Sequence, residues 1–324
     1  MPPDKDSTGA VTRRSFMTRA CHAALAAAAA RAILPVFENR AFAQTSPTLP
    51  AQNPAEASQC DLAVMKAGDP AAACRSAVEA LGGMKRFVKK GDIVVVKPNI
   101  GWDAPPEFAA NTNPLVVREL VSMAFAAGAA KVKVFDHTCN NPRSSYVHSG
   151  IEPAAAEAGA TVIHFEESRC RKLTVPNGQF IKEWPVFIDA VENDCLINVP
   201  VAKVHGLCRV SLGMKNLMGV IGGNRGQWHK NINQALAEFL GALKPRLTII
   251  DAFRLLAANG PTGGSVEHVR TPQICIASTD IVAADSRAAA LFGFKPEDLG
   301  FVVKAASMDY GQMDTSKLRT TTNL

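Results

Sequence analysis

Residues 193–230 read NDCLINVPVAKVHGLCRVSLGMKNLMGVIGGNRGQWHK. Cys195 to Val199 is an unbroken apolar run of strand length closed by Pro200, the pattern of a strand buried on both faces. Behind it, Lys203, His205, Lys215 and His229 fall on turns bounded by glycine, where backbone can approach a ligand closely. The glycines 219, 222, 223 and 226, with Asn224 and Arg225 among them, admit two readings: a nest of N–H groups for an anion, or a turn that reverses the chain. Their spacing fits neither the P-loop nor the dinucleotide fingerprint.

Outward from this stretch, apolar strands alternate with helical patterns. CDLAVMKAG, DIVVVKPN, KVKVFDH, ATVIHFEE, the hairpin RKLTVPNGQFIKEWPVF, RLTIIDAF and PQICIAST read as strands of one sheet. Helices are predicted over 71–89, from Asn113-Pro114 to Gly128, over 231–243 and over 281–292, the last capped by Asp280. This alternation predicts an α/β fold, a mostly parallel sheet with helices on both faces, in one domain or two lobes. Ligands of such sheets gather at the carboxyl ends of the strands, which here carry Lys97-Pro98-Asn99, Asp136-His137, Lys203, His205 and Asp251. Lys97, Asn99, Lys203, Lys215, Asn216, Gly222 and Gly223 are therefore candidates to bind a cofactor or a small anionic ligand. His229, Asp136 and His137 are candidate ligands of a divalent metal, with Asp251 as a further carboxylate.

Composition excludes several function classes. The 324 residues are 47% hydrophobic and 20% charged, ordinary for a globular protein. The net charge is +6, but residues 1–43 hold six basic and three acidic residues, which leaves +3 for the rest. No basic run with interleaved aromatics appears, so no nucleic-acid partner is expected. Seven cysteines follow position 43 without a Cys-x-x-Cys pair, so no iron–sulfur cluster or thiolate zinc site is expected, and an odd number leaves at least one thiol unpaired.

The N-terminus, TRRSFMTRA followed by an alanine-rich run and Ala41-Phe42-Ala43, resembles a twin-arginine export signal cleaved after Ala43. Arg31 interrupts the apolar run, so no permanent membrane span is expected in the mature form. The resemblance implies the twin-arginine translocation machinery as a partner, a periplasmic or extracytoplasmic location, and folding before transport, often around a cofactor. Residues 44–58 read as a flexible linker, 59–310 as the α/β domain and 311–324 as a loose polar tail.

VVVKPNIG, NTNPLVV, VFDH, NVPVAKVHG, SLGMKNLMGVIGG, Gln227-Trp228-His229, IIDA with NGPTGG, and STDIVAAD together resemble domain of unknown function family 362, in its form without an appended ferredoxin-like module. A fainter resemblance is to the nickel-pincer lactate racemase family. It implies an acid/base role for His205, a cofactor-tethering role for Lys215 and metal ligation by His229, with a nickel-organic cofactor. VFDHTCNNP is similar to that family's Asp-x-Thr-Arg-x-x-P element, with Cys139 at the arginine position. Two functions follow as expectations. One is an exported enzyme in which His205 and Lys215 act, with a metal or metal-organic cofactor, on a small carboxylate by acid/base chemistry. The other is a non-catalytic periplasmic anion- or cofactor-binding or maturation protein serving a redox partner.

The export reading makes a direct prediction. Changing Arg13 and Arg14 together to Lys should leave the precursor in the cytoplasm, whereas the wild type should be recovered outside it with Gln44 as its first residue. Cell fractionation and N-terminal sequencing check both halves, and equal export of the two proteins would refute it.

Overall fold

The structure is a computed structural model and describes residues 60–324; the export segment and the linker lie outside the described residues. The strands are β1 (Leu62–Lys66), β2 (Ile93–Pro98), β3 (Lys131–Val134), β4 (Thr161–Val162), β5 (Cys170–Thr174), β6 (Glu183–Phe187), β7 (Cys195–Val199), β8 (Val201–His205), β9 (Arg209–Ser211), β10 (Leu247–Leu256), β11 (Val269–Arg270), β12 (Ile274–Ser278) and β13 (Thr320–Asn323). The main sheet runs β13-β1-β12-β10-β7-β2-β3-β4. From β10 to β4 every pairing is parallel, while β12 runs antiparallel to both β1 and β10. The described residues fall within one unit, so the two-lobe alternative is not realised.

The α-helices are α1 (Pro70–Ala80), α2 (Pro114–Ala127), α3 (Pro142–His148), α4 (Ile151–Glu157), α5 (Ile188–Val191), α6 (Gly213–Asn216), α7 (Ile232–Phe239), α8 (Ile281–Ala289) and α9 (Gly300–Ser307). Side-chain alternation along β2 shows how they cover the sheet. Val94 and Val96 pack with Val78, Val116 and Leu120 of α1 and α2, whereas Val95 belongs to the opposite core with Leu236, Val282 and Phe301 of α7, α8 and α9. Each such buried aliphatic side chain contributes roughly 1.5–3 kcal/mol. Among the described residues no helix is long and apolar enough to cross a membrane.

The helix starts follow their caps. The Asn113 side chain accepts from the N–H of Leu115 with Pro114 next in line, and α2 stops at Gly128, whose φ of 109° is the left-handed conformation that ends helices. Asp280 accepts from Val282 and Ala283, as its position predicted. The first helix is shorter than the predicted 71–89: it breaks at Gly82-Gly83, both at positive φ, and only a short turn follows.

Three expectations are corrected. The hairpin over 170–187 forms, but as a separate two-stranded sheet; it exposes Arg171, Lys172 and Glu183, which suit water and not a sheet interior. The tail is not loose. β13 adds to the edge of β1 in parallel, and Arg319 grips the carboxylate of Asp61 through Nε at 2.9 Å and Nη2 at 2.7 Å. Finally, the chain does not enter a turn after Pro200. It continues as β8, parallel to β10 and hairpinned with β9, so Lys203 and His205 stand on a strand.

The carboxyl ends of β2, β3 and β7 meet in a buried polar layer. Lys97 at the end of β2 pairs with Asp136 just after β3 at 2.7 Å, and both side chains are buried. A Cβ on Gly219 would run into the Asp136 carboxylate and the Lys97 ammonium. Gly219→Ala should therefore separate the pair and destabilise the fold by about 3–5 kcal/mol, the usual cost of breaking a buried ion pair. Urea denaturation of the variant tests this, and a loss below ~1 kcal/mol would show that the pair yields without strain.

Candidate functional site

A cavity of about 660 Å³ opens at this end of the sheet. Its wall includes Asn99, Asp136, His137, Lys203, His205, Lys215, Asn216 and His229 of the predicted set, together with Trp102, Cys139, Ser211, Gly219, Arg225 and the Gly260-Pro261 turn. Lys97 is not on the wall; it lies beneath it, fully buried. The location is the one expected for an α/β sheet.

The cations divide into supporting and exposed groups. Lys97 spends all three N–H bonds on protein acceptors: Asp136 at 2.7 Å, Asn216 Oδ1 at 2.8 Å and the Pro98 carbonyl at 2.9 Å. Burial still holds its pKa below the usual lysine range, against the pull of Asp136. Asn216 in turn donates to Asn198 Oδ1 at 2.8 Å and to the Lys97 carbonyl at 3.2 Å, which locks α6 to β2 and β7. Arg225 donates to the carbonyls of His137 and Thr138 at 2.6 and 2.7 Å, and its Nη2 lies 3.5 Å from the Cys139 sulfur.

Lys203 donates to Asn99 Oδ1 at 2.7 Å and to the Ala110 carbonyl at 2.5 Å, leaving its third position for the cavity. Burial first, then repulsion from Lys215, brings its pKa down to about 7. Lys215, on the first helical turn after β9, is also pushed down by burial. Among the described residues its amine meets no hydrogen-bond acceptor.

The imidazoles are equally specific. The N–H of Leu207 donates to Nδ1 of His205 at 3.1 Å, so the proton of that ring sits on Nε2. Burial and the charge of Lys215 lower its pKa to about 3, which makes it a neutral N–H donor. Lys203, by contrast, keeps its third position open and has a pKa near neutrality. His229 has its ring nearly parallel to His205 at 6.2 Å between centroids. Its Nδ1 donates to the Gly226 carbonyl at 3.3 Å, which leaves Nε2 with a lone pair, and burial lowers its pKa.

Two predicted groupings do not assemble. His229, Asp136 and His137 are not a metal cluster: among the described residues no three His, Cys, Asp or Glu side chains stand together to hold a metal. The Asp136 carboxylate is consumed by Lys97 and by the N–H groups of Ile100 at 2.6 Å and His137 at 2.9 Å. His137 stacks on Phe165 at 3.8 Å and donates Nδ1–H to the Ile221 carbonyl at 2.8 Å. Asp251 lies away from the wall, accepting from Asn113 at 2.7 Å and Phe253 at 3.1 Å, with burial raising its pKa to about 6. Nor do Gly222 and Gly223 form an anion nest. The N–H of Gly223 is taken by the Glu167 carboxylate at 2.7 Å and that of Gly222 by the Pro185 carbonyl at 2.9 Å, so a negative group already occupies the loop.

Sequence reasoning missed Arg225 as a wall residue and Asp285 as a support. The sequence places Asp285 only within the helix predicted over 281–292. Its carboxylate accepts from Gly213 at 2.6 Å and Met214 at 2.9 Å and so anchors the start of α6, and its pKa is raised to about 7 by burial. An acidic residue among the alanines of α8 was the available clue.

The model of the domain of unknown function DUF362 matches residues 94–290, which contain every wall residue named above. The chain belongs to this family. The thylakoid-associated protein sll1697 of Synechocystis sp. is 28% identical to it over 228 residues, covering 68% of this chain and 69% of the relative. Among solved structures it resembles the lactate racemase apoprotein of Thermoanaerobacterium thermosaccharolyticum at 14% identity with a TM-score of 0.45, covering 74% of this chain; this chain spans 58% of the length of that protein.

The DUF362 site thus presents one paired cation below its floor and two desolvated amines on its wall. For Lys203 the folded state holds the proton less tightly than the unfolded chain does, because about 7 lies below the ordinary 10.5. Between those values unfolding takes up a proton, so this residue makes stability rise with pH, by up to about 1.4 kcal/mol per unit. The stability difference between wild type and Lys203→Met should therefore grow in favour of wild type from pH 7 to pH 10. Denaturant titrations at several pH values measure it, and a difference independent of pH would show that Lys203 remains an ordinary lysine.

Proposed function

We propose that this protein is an exported enzyme that binds a small carboxylate in the cavity and moves a proton on it. The observation that carries the reading is the pair of incompletely partnered amines, Lys203 and Lys215, facing one space whose single wall carboxylate, Asp136, is already neutralised by Lys97. Such a wall lacks a negative charge, and a carboxylate ligand supplies it, restoring the protons that desolvation has made loose. Lys203 is the proton carrier, since a group with a pKa near 7 exchanges protons readily at neutral pH. His205 presents Nε2–H to an oxygen of the ligand, and Lys215 contacts the ligand directly. Transport through the twin-arginine machinery is part of this reading and rests on the N-terminal motif alone.

A divalent cation held by protein side chains alone does not fit, because such sites take three or four ligands and among the described residues no three His, Cys, Asp or Glu side chains stand together to hold one. A metal-organic cofactor asks less of the protein: the amine of Lys215, without a hydrogen-bond partner among the described residues, and the lone pair of His229 Nε2 are suited to hold one. When bound, such a group would supply a hydride or electron-pair acceptor. Every role assigned above belongs to the chain's own residues and stands without it.

Sulfate and malonate should each raise the thermal midpoint, because a ligand of the folded state alone stabilises by mass action. Lys215→Met should lose most of that shift, and the wild-type shift should be larger at pH 6 than at pH 9, where Lys203 is neutral. Thermal scans with equal shifts in both proteins would exclude the cavity as the anion site.

A further inference from the structure

Three lysines surround the cavity, and only one is left with nothing to do. Lys97 is saturated by three acceptors and Lys203 is held by two. Lys215 has none among the described residues, although it is largely withdrawn from water. Its backbone, by contrast, is held tightly. Asp285 fixes the N–H groups of Gly213 and Met214, and the next residue, Asn216, is bonded to both Lys97 and Asn198. A rigid element thus delivers an amine without a partner to a cavity that also holds a proton carrier and an N–H donor.

We infer that Lys215 captures a carbonyl compound, forming an imine with a small aldehyde or ketone that carries a carboxylate. An amine hydrogen-bonded to protein acceptors is held away from a carbonyl carbon, whereas the amine of Lys215 has its nitrogen available. Desolvation keeps a larger fraction of it in the neutral, nucleophilic form than an exposed lysine has. The nitrogen lone pair forms the C–N bond and the carbonyl oxygen takes a proton. A second proton then lets that oxygen leave as water, while the nitrogen gives up its two protons, so one water is released for each imine and nothing is oxidised or reduced. Lys203 exchanges these protons across the cavity, and Nε2–H of His205 is the donor for the departing oxygen. The carboxylate of the ligand is drawn by the charges of Lys203 and Arg225, which the paired Asp136 does not cancel. This inference rests on the anion-binding reading of the cavity and goes beyond it by naming a covalent step.

The test is reductive trapping. The full chain is incubated with pyruvate and sodium cyanoborohydride, and the adduct is read by intact mass and peptide mapping. One reduced pyruvate adduct per chain, located on Lys215, is expected. Lys215→Arg should lose it, while Lys85→Arg, at an exposed position, should retain it. Circular dichroism verifies that the Lys215 variant is folded; if it is not, the location of the wild-type adduct decides alone. Adducts scattered over exposed lysines, an adduct on Lys203, or trapping of acetone in preference to pyruvate would overturn the inference. So would a Lys215 already bearing an organic group in the purified protein. Sulfate stabilisation with no trapping would sink the imine and leave the anion site standing, whereas loss of both would sink both.

Discussion

The Lys97–Asp136 pair is the constraint around which this end of the molecule is organised. A lysine ammonium at the end of a strand buried on both faces is expensive to desolvate, and Coulomb attraction compensates only when every remaining donor also finds an acceptor. Its acceptors come from three separate places in the chain: the residue following β2's lysine, the loop after β3, and the end of α6. Satisfying one ammonium therefore fixes where β2, β3 and α6 stand relative to one another. Gly219 is part of the same solution, since any side chain there would occupy the space of the ion pair.

That arrangement explains why the neighbouring groups behave so differently. Once Asp136 is committed to Lys97, the cavity has cations and no free carboxylate on its wall. Lys203 feels burial and the charge of Lys215, Lys215 feels burial and the charge of Arg225, and His205 feels burial and Lys215, so all three hold their protons less tightly than they ordinarily would. Division of labour follows from the hydrogen bonds. A lysine with two acceptors is fixed in place and can still exchange its third proton, a histidine with its Nδ1 filled by a backbone N–H is an N–H donor, and a lysine with no acceptor is available to a ligand.

The α/β class, the central strands and most helix starts were legible in the sequence because they depend on short-range causes. The apolar runs at 94–96 and 195–199, the Asn113-Pro114 start and the Asp280 cap all act within a few residues. The same is true of the strand ends that carry the site. What misled were segments whose surroundings lie elsewhere. The polar tail reads as loose until β1 offers it an open edge and Asp61 binds Arg319. The glycines at 222 and 223 leave an anion nest and a simple turn both open until Glu167, some 55 residues earlier, takes the Gly223 N–H.

The sequence by itself therefore determined the fold class, the family and the end of the sheet where the cavity opens. It also picked out His205, Lys215 and His229 as side chains facing one space, because strand periodicity and glycine-bounded turns are local properties. Only the tertiary structure decided what each could do there. Protonation depends on burial and on charges contributed by distant segments, and whether an amine or imidazole nitrogen has a partner depends on backbone groups that no linear pattern brings together. Asp136 and His137 lost their place as metal ligands on those grounds, and on the same grounds Lys203 keeps one open position and a pKa near 7 while Lys215 meets no acceptor among the described residues.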